Sequence, residues 1–371
     1  MKILLTGGGT AGHITPLIAV ARELRRLYTK EDLKLHYMGP RDVQGVLVLK
    51  QENIQTHAIL AGKLRRYFSL ANIADVLFII PLSFLQSFFL LIAIRPNLVF
   101  SKGGTGALPV TFWAWIFMIP VFLHESDIVP GLSNRIASNW AKRMFISFPK
   151  TEYFNLAKTV LTGHPIKKEL VEGNKESAKE VFNLTFEKSI LLFLGGSQGS
   201  EAINDFVLLM LNDILRSYEV IHACGRKNFK QIQLESRQVL QKDLEKYYHV
   251  KDYLNEVELK HAYKVADLII SRAGAGSIFE IAANGKPSIL IPLPSSAGDH
   301  QSKNAYQYSQ TGASLIIEQG TLTPNFFLSK INHLFAQPEI TQKMTQSALE
   351  FAKPLAAKTI AREILEYLGD K

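Results

Sequence analysis

A short apolar strand, Ile3–Leu5, runs into Gly7-Gly8-Gly9-Thr10-Ala11-Gly12-His13 and then into a helix from about Ile14 to Leu27, which Pro16 helps to start. No other stretch constrains the fold as much. A strand, a glycine-rich turn and a helix in that order leave backbone N–H groups pointing at one spot, and the helix N-terminus adds positive partial charge there. Such a place suits a phosphate or diphosphate, and glycines let the backbone approach it closely. His13 is the one side chain of the loop that exchanges a proton near neutral pH. Gly7, Gly9 and Gly12 formally match G-x-G-x-x-G, which alone is a weak dinucleotide signal. A NAD site would want an acid after the second strand, where the chain reads Met38-Gly39-Pro40-Arg41. Arg41 would suit a 2′-phosphate, so an NADP-dependent oxidoreductase stays open as an alternative.

The first half alternates strand and helix. Strand-like runs are Ile3–Leu5, Leu33–Met38, Thr56–Leu60, Leu98–Phe100, Val121–His124 and Met144–Ile146. After the turn signal Thr162-Gly163-His164-Pro165 the pattern restarts: Ser189–Leu194 leads into Gly195-Gly196-Ser197-Gln198-Gly199-Ser200 and another helix. Further strands are Glu219–Ala223, Leu268–Ser271 and Ser288–Ile291. This rhythm predicts an α/β chain of two doubly wound parallel sheets, with ligands at the carboxyl ends of the strands. We expect residues 1–163 as one domain, 164–340 as a second, and 341–371 as C-terminal helices packing back on the first. Two such domains face to face would set their ligand loops across a cleft.

Composition narrows the partners. The chain has 371 residues, with 42 Lys plus Arg against 33 Asp plus Glu, a net charge of +9 that favours anionic partners. Zinc-finger spacings and aromatic-basic RNA motifs are missing, which points away from nucleic acid. The single Cys224 cannot form an internal disulfide, and the N-terminus has too short an apolar run for a signal peptide, so the sequence reads as cytosolic. Ile73–Ile94 is about long enough to span a bilayer, yet it carries Asp75 and Pro81 and falls between strands of one sheet. It is either a helix buried in its own domain or a face that dips into a membrane surface. Lys63, Arg65 and Arg66 just before it and Arg95 just after would suit anionic lipid.

Two further stretches carry chemistry. Arg272-Ala273-Gly274-Ala275-Gly276-Ser277 precedes a helix containing Ile278-Phe279-Glu280, again small residues before a helix N-terminus. Ser277 and Glu280 fit an S-x-x-E capping box, although a carboxylate there would also accept both hydroxyls of a ribose. The polar loop Ser295–Asn304 supplies amides and a carboxylate able to bind sugar hydroxyls. D-x-D, H-E-x-x-H and cysteine clusters are missing, so no metal site is expected. Helix N-termini and loop amides would then have to handle a diphosphate leaving group.

Taken together, Gly7–His13, Gly195–Ser200, Ser271–Glu280 and Asp299–Asn304 resemble the MurG family of bacterial peptidoglycan glycosyltransferases. The likeness runs over the whole chain in order and spacing, including Ala61–Ser69, Ser101–Gly104, His124-Glu125-Ser126-Asp127 and Gly163-His164-Pro165. It implies a GT-B fold of two Rossmann-like domains. It also implies inverting transfer of N-acetylglucosamine from UDP-N-acetylglucosamine to the C4 hydroxyl of the muramyl sugar of lipid I, giving lipid II, with no cofactor. The C-terminal half would hold the donor. Leu254 would meet the uracil through its backbone, Glu280 the ribose, Ser197 and Ala275, Gly276, Ser277, Ile278 and Phe279 the diphosphate, and Gln301 with Asn304 the sugar. Thr10, Ala11 and Gly12 would lie by the donor sugar and the acceptor diphosphate.

His13 is the first candidate for the base and Glu125 the second; for His13 the alternative is a residue that merely positions diphosphate. Asp127 and Lys167 fall at donor-contact positions but depart from the Asn and Arg that many members carry, although a branch of the family also reads H-E-S-D. Thr105 replaces the aromatic that often follows Gly103-Gly104. The resemblance implies a peripheral enzyme on the cytoplasmic, anionic face of the cell membrane. Another GT-B transferase with a different acceptor is the alternative, since fold alone does not fix substrate.

Overall fold

A computed structural model describes residues 1–8, 11–41, 43–62, 75–149, 153–196, 199–294 and 296–369. The chain divides into two units, residues 1–167 with 354–371, and residues 168–353. In unit one, β1 (Lys2–Thr6), β2 (Lys34–Pro40), β3 (Gln55–Ile59), β4 (Leu98–Ser101), β5 (Val121–Glu125), β6 (Arg143–Ile146) and β7 (Thr159–Leu161) form a sheet ordered β3-β2-β1-β4-β5-β6-β7. Every pairing in it is parallel. The crossovers carry α1 (Ala11–Leu27), α2 (Val43–Gln51), α3 (Ile80–Ile94, preceded by a π-helical turn Asp75–Ile79), α4 (Ala107–Ile116) and α5 (Leu132–Ala137). Strands buried on both faces read as continuous apolar runs, which is why the sequence shows them clearly. Alternate side chains go to opposite faces. Ile3, Leu5, Phe100, Phe122 and Phe145 pack with α1, while Leu4, Val99, Leu123 and Met144 pack with α3 and α4.

Unit two repeats the plan. Its strands β8 (Ser189–Leu194), β9 (Tyr218–Ala223), β10 (Tyr248–Lys251), β11 (Leu268–Ser271), β12 (Ser288–Leu290) and β13 (Ser314–Ile316) take the order β10-β9-β8-β11-β12-β13, all parallel. Its helices are α6 (Lys175–Phe182), α7 (Glu201–Leu209), α8 (Leu211–Ser217), α9 (Phe229–Val239), α10 (Glu256–Val265), α11 (Ala275–Ala283), α12 (His300–Ser309), α13 (Pro324–Ala336) and α14 (Pro338–Phe351). The last helix, α15 (Ala356–Tyr367), returns to unit one, where Ala357, Ile360, Ala361 and Ile364 join the core that α1 builds.

Several expectations are corrected. The first boundary falls after Lys167 and not at Gly163, because the Thr162 and Gly163 N–H groups both donate to the Ile146 carbonyl and tie that turn to β6. The C-terminal helices part company: α14 stays in unit two, where Phe351 meets the rings of Phe279 and Tyr308, and only α15 packs on unit one. α1 opens at Ala11, three residues before Ile14, so Pro16 lies inside it and leaves the Gly12 carbonyl without its helical N–H partner. β7, β10 and β13 were not foreseen. All three are sheet edges with mixed, half-buried side chains, where the apolar pattern fades.

In each sheet the strand order reverses at one place. That place is between β1 and β4 in unit one and between β8 and β11 in unit two. Ligands of open α/β sheets bind outside the strand carboxyl ends at such switch points. The loops there are Gly7-Gly8 and Lys102–Gly104 in the first unit, and Gly195-Gly196 and Arg272–Gly274 in the second.

Candidate active site: a loop cluster in each unit

In unit one, Thr6 Oγ1 donates to the Met38 carbonyl at 2.7 Å and the Tyr37 hydroxyl to the Gly7 carbonyl at 3.3 Å, which fixes the turn leaving β1. His13 stands in the first turn of α1. A Cβ on Gly8 would lie 2.9 Å from its Nδ1, and one on Gly104 would lie 3.1 Å from its Nε2 and 2.7 Å from the Gly8 nitrogen. Gly104 also has φ +92°, so both its conformation and its neighbours demand glycine. The imidazole is thus wedged between two loops. Burial, and secondarily the Lys102 ammonium, pull its pKa down to about 4. At neutral pH His13 is uncharged.

Lys102 follows β4, its N–H donating to the Thr6 carbonyl at 2.9 Å, and it is only 4% exposed. Burial lowers its pKa, while the carboxylates of Glu125 and Asp127 work the other way and favour the ammonium. Sequence reasoning passed over this residue, because a lysine after a strand reads as surface charge. Its burial depends on the pairing of β4 with both β1 and β5.

Glu125 does not have a base's surroundings. Its Oε1 accepts from the N–H groups of Ser126 (2.8 Å) and Asp127 (3.1 Å), and its Oε2 from the Gly131 N–H (3.1 Å) and Asn134 Nδ2 (2.9 Å). Burial raises its pKa, against the Lys102 charge. Four donors occupy the two oxygens, so Glu125 organises the loop from β5 to α5. Two histidines share this interior. His124 Nε2 lies 3.2 Å from the Gly163 carbonyl, and His164 Nδ1 lies 3.0 Å from Ser126 Oγ. Both are driven well below the usual histidine range by burial and then Lys102, and stay neutral. Asp127 and Lys167 are half-buried, and Gly12 is exposed.

In unit two, Glu280 and Ser277 form no capping box. α11 is capped by Gly274, which makes no side-chain hydrogen bond, and a Cβ there would meet nothing within 4 Å. No side chain caps the first turn of α11, and Ile278 and Phe279 turn into the core. Glu280 Oε2 instead accepts from the Tyr263 hydroxyl at 2.8 Å. The real capping box is at α10: Asn255 accepts from the Val257 and Glu258 N–H groups, and Glu258 accepts from the Asn255 N–H at 3.0 Å. It seats Leu254, which is buried, directly before that helix.

Arg272 is a second residue that sequence reasoning missed. Its buried guanidinium donates to Ser200 Oγ (2.6 Å), Gln319 Oε1 (2.7 Å) and the carbonyls of Ile291 (3.1 Å) and Pro292 (3.2 Å). Ser200 is the N-cap of α7, so one side chain joins the loops after β8, β11 and β12. The fork of a guanidinium is what spans so many acceptors. Gln301 Oε1 accepts from the Leu293 N–H at 3.0 Å. Asn304 is 0% exposed, and its Nδ2 donates to the Ala273 carbonyl at 3.5 Å. Thr10, Ser197, Lys63, Arg65 and Arg66 lie outside the described residues. Among the described residues no cluster of three or more His, Cys, Asp or Glu is arranged to hold a metal.

The apolar segment has an inverted pattern. The buried face of α3 includes Ser83 and Ser87, whose hydroxyls bond back to the Ile80 and Ser83 carbonyls. Leu77, Phe78 (69% exposed), Leu82, Leu85, Phe89 and Ile92 face outward, and Trp115, Ile116 and Met118 (91%) are exposed at the end of α4. Leu77–Ile94 is long and apolar enough to cross a membrane by length and composition, and it is mostly unburied in the fold. Of the two alternatives for this segment, the helix buried in its own domain does not match these residues, which are mostly unburied.

Comparison with known proteins places these features in a family. Residues 3–146 match the glycosyltransferase family 28 N-terminal domain, and residues 190–360 its C-terminal domain. A Clostridium tetani protein described as UDP-N-acetylglucosamine–N-acetylmuramyl-(pentapeptide) pyrophosphoryl-undecaprenol N-acetylglucosamine transferase is 38% identical over 341 residues, 91% of each chain. A Clostridium botulinum protein of the same description is 39% identical over 359 residues, 94% of this chain and 95% of its own. Among solved structures, MurG of Acinetobacter baumannii superposes with a TM-score of 0.72 at 24% identity, covering 98% and 99% of the two chains. UDP-GlcNAc 2-epimerase of Neisseria meningitidis shares the fold with a TM-score of 0.69 at 15% identity, covering 99% and 100%. The fold is GT-B-like, and the dinucleotide reading of the first loop is set aside. The chain is a glycosyltransferase, and it belongs to glycosyltransferase family 28, among the UDP-N-acetylglucosamine–N-acetylmuramyl-(pentapeptide) pyrophosphoryl-undecaprenol N-acetylglucosamine transferases.

Proposed function

We propose that this chain moves N-acetylglucosamine from UDP-N-acetylglucosamine to the C4 hydroxyl of the muramyl sugar of lipid I (undecaprenyl-pyrophosphoryl-muramyl-pentapeptide), giving lipid II, as the names of its relatives describe. The observation that carries the chemistry is the neutral His13 wedged at the N-terminus of α1. In this reading His13 takes the proton of the acceptor hydroxyl while its oxygen bonds to the anomeric carbon and the bond from that carbon to UDP breaks. Configuration inverts, and the proton ends on the imidazole.

Unit two receives the donor. The first turn of α11 meets the negative charge growing on the leaving diphosphate, together with Ser197, and needs no cofactor to do so. Glu280, held by Tyr263, accepts the ribose hydroxyls, and the backbone at Leu254 meets the uracil. Gln301 meets the donor sugar in this reading. The N-terminal turn of α1, with Ala11 and Gly12, receives the acceptor diphosphate.

The outward apolar face of α3 and α4 supports a peripheral position on the cytoplasmic face of the cell membrane, where the lipid substrate resides. Lys63, Arg65 and Arg66 would meet anionic headgroups. The test is transfer of labelled N-acetylglucosamine to a lipid I analogue without added metal. Inverted lipid II product is expected. Hydrolysis or epimerisation of the donor, with no transfer, would overturn the reading.

A further inference from the structure

Lys102 takes no part in the proton transfer or the departure of UDP. Its Cβ lies by the first glycine loop: a Cβ placed on Gly7 would lie 3.5 Å from the Lys102 Cβ and 3.4 Å from the His13 Cβ. Two residues on, Gly104 backs against His13. Lysine and histidine thus flank one turn, at the N-terminus of a 17-residue helix whose first turn holds no acidic side chain. Lys102 is 96% removed from solvent, and none of the hydrogen bonds or ion pairs among the described residues engages its ammonium. The charged and titratable groups facing it are the carboxylates of Glu125 and Asp127 and the imidazoles of His13, His124 and His164. Glu125 is already engaged by its four N–H donors.

A buried cation held against a neutral imidazole opposes protonation of that imidazole. An anion arriving at the same helix N-terminus would cancel the opposition.

We propose that Lys102 is the cation of the acceptor site, and that a diphosphate bound between it and the N-terminus of α1 neutralises its field at His13, so that the base gains strength only when the acceptor is in place. This rests on the reading of α1 as the acceptor-diphosphate site. The empty enzyme keeps a weak, uncharged base. The loaded enzyme has a stronger one, because the imidazolium formed by proton transfer now stands beside a compensated charge. Proton affinity and diphosphate affinity are then coupled, and by linkage each must strengthen the other equally. Lys102 thus touches the bound diphosphate and sets the proton affinity of His13 without itself exchanging the proton.

The experiment follows His13 in the full chain by NMR titration of isotope-labelled histidine, with inorganic pyrophosphate as the probe. In the free protein His13 titrates near 4. Saturating pyrophosphate is expected to raise that midpoint by about one unit, a tenfold gain in proton affinity. In Lys102→Met the midpoint starts higher and pyrophosphate moves it little, whereas Lys102→Arg, which keeps the charge, retains the response. If Lys102→Met fails to fold, Lys102→Gln replaces it in the same comparison. An unmoved His13 in the natural protein, or an equal rise with and without the Lys102 charge, would overturn the proposal. Pyrophosphate held only in unit two counts as the first of these, since His13 and Lys102 both belong to unit one. Transfer by His13→Ala is a separate arm: if it persists, the base assignment fails while the measured coupling between Lys102 and His13 stands.

Discussion

The Tyr263 hydroxyl donates to Glu280 Oε2 across 2.8 Å, and Tyr263 itself is 1% exposed. The carboxylate is held by a buried ring and does not cap α11, whose N-cap is Gly274. Glu280→Ala is expected to weaken UDP binding at least tenfold by calorimetry, from the loss of charge-assisted bonds of about 1.5–3 kcal/mol, with little change in melting temperature. Tyr263→Phe should weaken UDP a few-fold and cost about 1 kcal/mol of stability, the usual worth of one hydrogen bond. A large stability loss in Glu280→Ala with unchanged UDP affinity would count against the ribose role.

His13→Ala should leave UDP-N-acetylglucosamine binding nearly intact while turnover falls by about two to four orders of magnitude, the usual contribution of a positioned base. Because the free His13 titrates near 4, kcat/KM should stay flat across neutral pH and fall only as pH approaches 4. An acid limb near 6.5 would show that the working base is another group.

Glu125→Gln separates a loop organiser from a base. An amide presents one acceptor oxygen to four donors and sets its own N–H₂ against the others. The expected cost is about 2–3 kcal/mol in urea unfolding, the scale of unsatisfied buried groups. Turnover at low temperature should fall no more than the folded fraction does. Normal stability with abolished transfer would restore Glu125 as base.

Acid should loosen the fold early. Burial holds His222 at about 3 and His13 at about 4, and keeps His124 and His164 well below 6.5. The unfolded chain protonates these rings near 6.5, so below that pH the unfolded state binds more protons and stability falls as pH drops. Melting temperature should decline between pH 6.5 and 4.5, well above carboxylate titration. His222→Asn, which removes one such ring, should flatten part of the slope.

Phe78→Ser with Phe89→Ser should reduce sedimentation with anionic vesicles by at least tenfold, since each ring buried in lipid is worth roughly 1.5–3 kcal/mol. High salt should weaken binding further if Lys63, Arg65 and Arg66 contribute. Unchanged binding in the double variant would assign the outward face of α3 another purpose.

The central strands and both glycine loops were legible because parallel strands buried on two faces are unbroken apolar runs that end in small residues. Edge strands such as Tyr248–Lys251 were not, since half-buried positions carry no such pattern. The S-x-x-E of Ser277 and Glu280 misled for a related reason. Four residues cannot say where a helix begins, and α11 begins two residues before Ser277. Lys102 and Arg272 were invisible as site residues because their burial comes from strands far apart in sequence. The boundary after Lys167 depends on two hydrogen bonds to Ile146 that no local composition reveals.

The return of α15 to pack on α1 bears on how the molecule is made. Unit two is one continuous segment, 168–353, whereas unit one is completed by residues on both sides of it. During synthesis from the N-terminus, unit two has all its residues before unit one has α15. The ring of Tyr367 against Phe122, and Ile360 and Ile364 against the helix that carries His13, are among the last contacts to form. His13 is therefore seated on a completed core only after unit two has had its whole sequence available to fold.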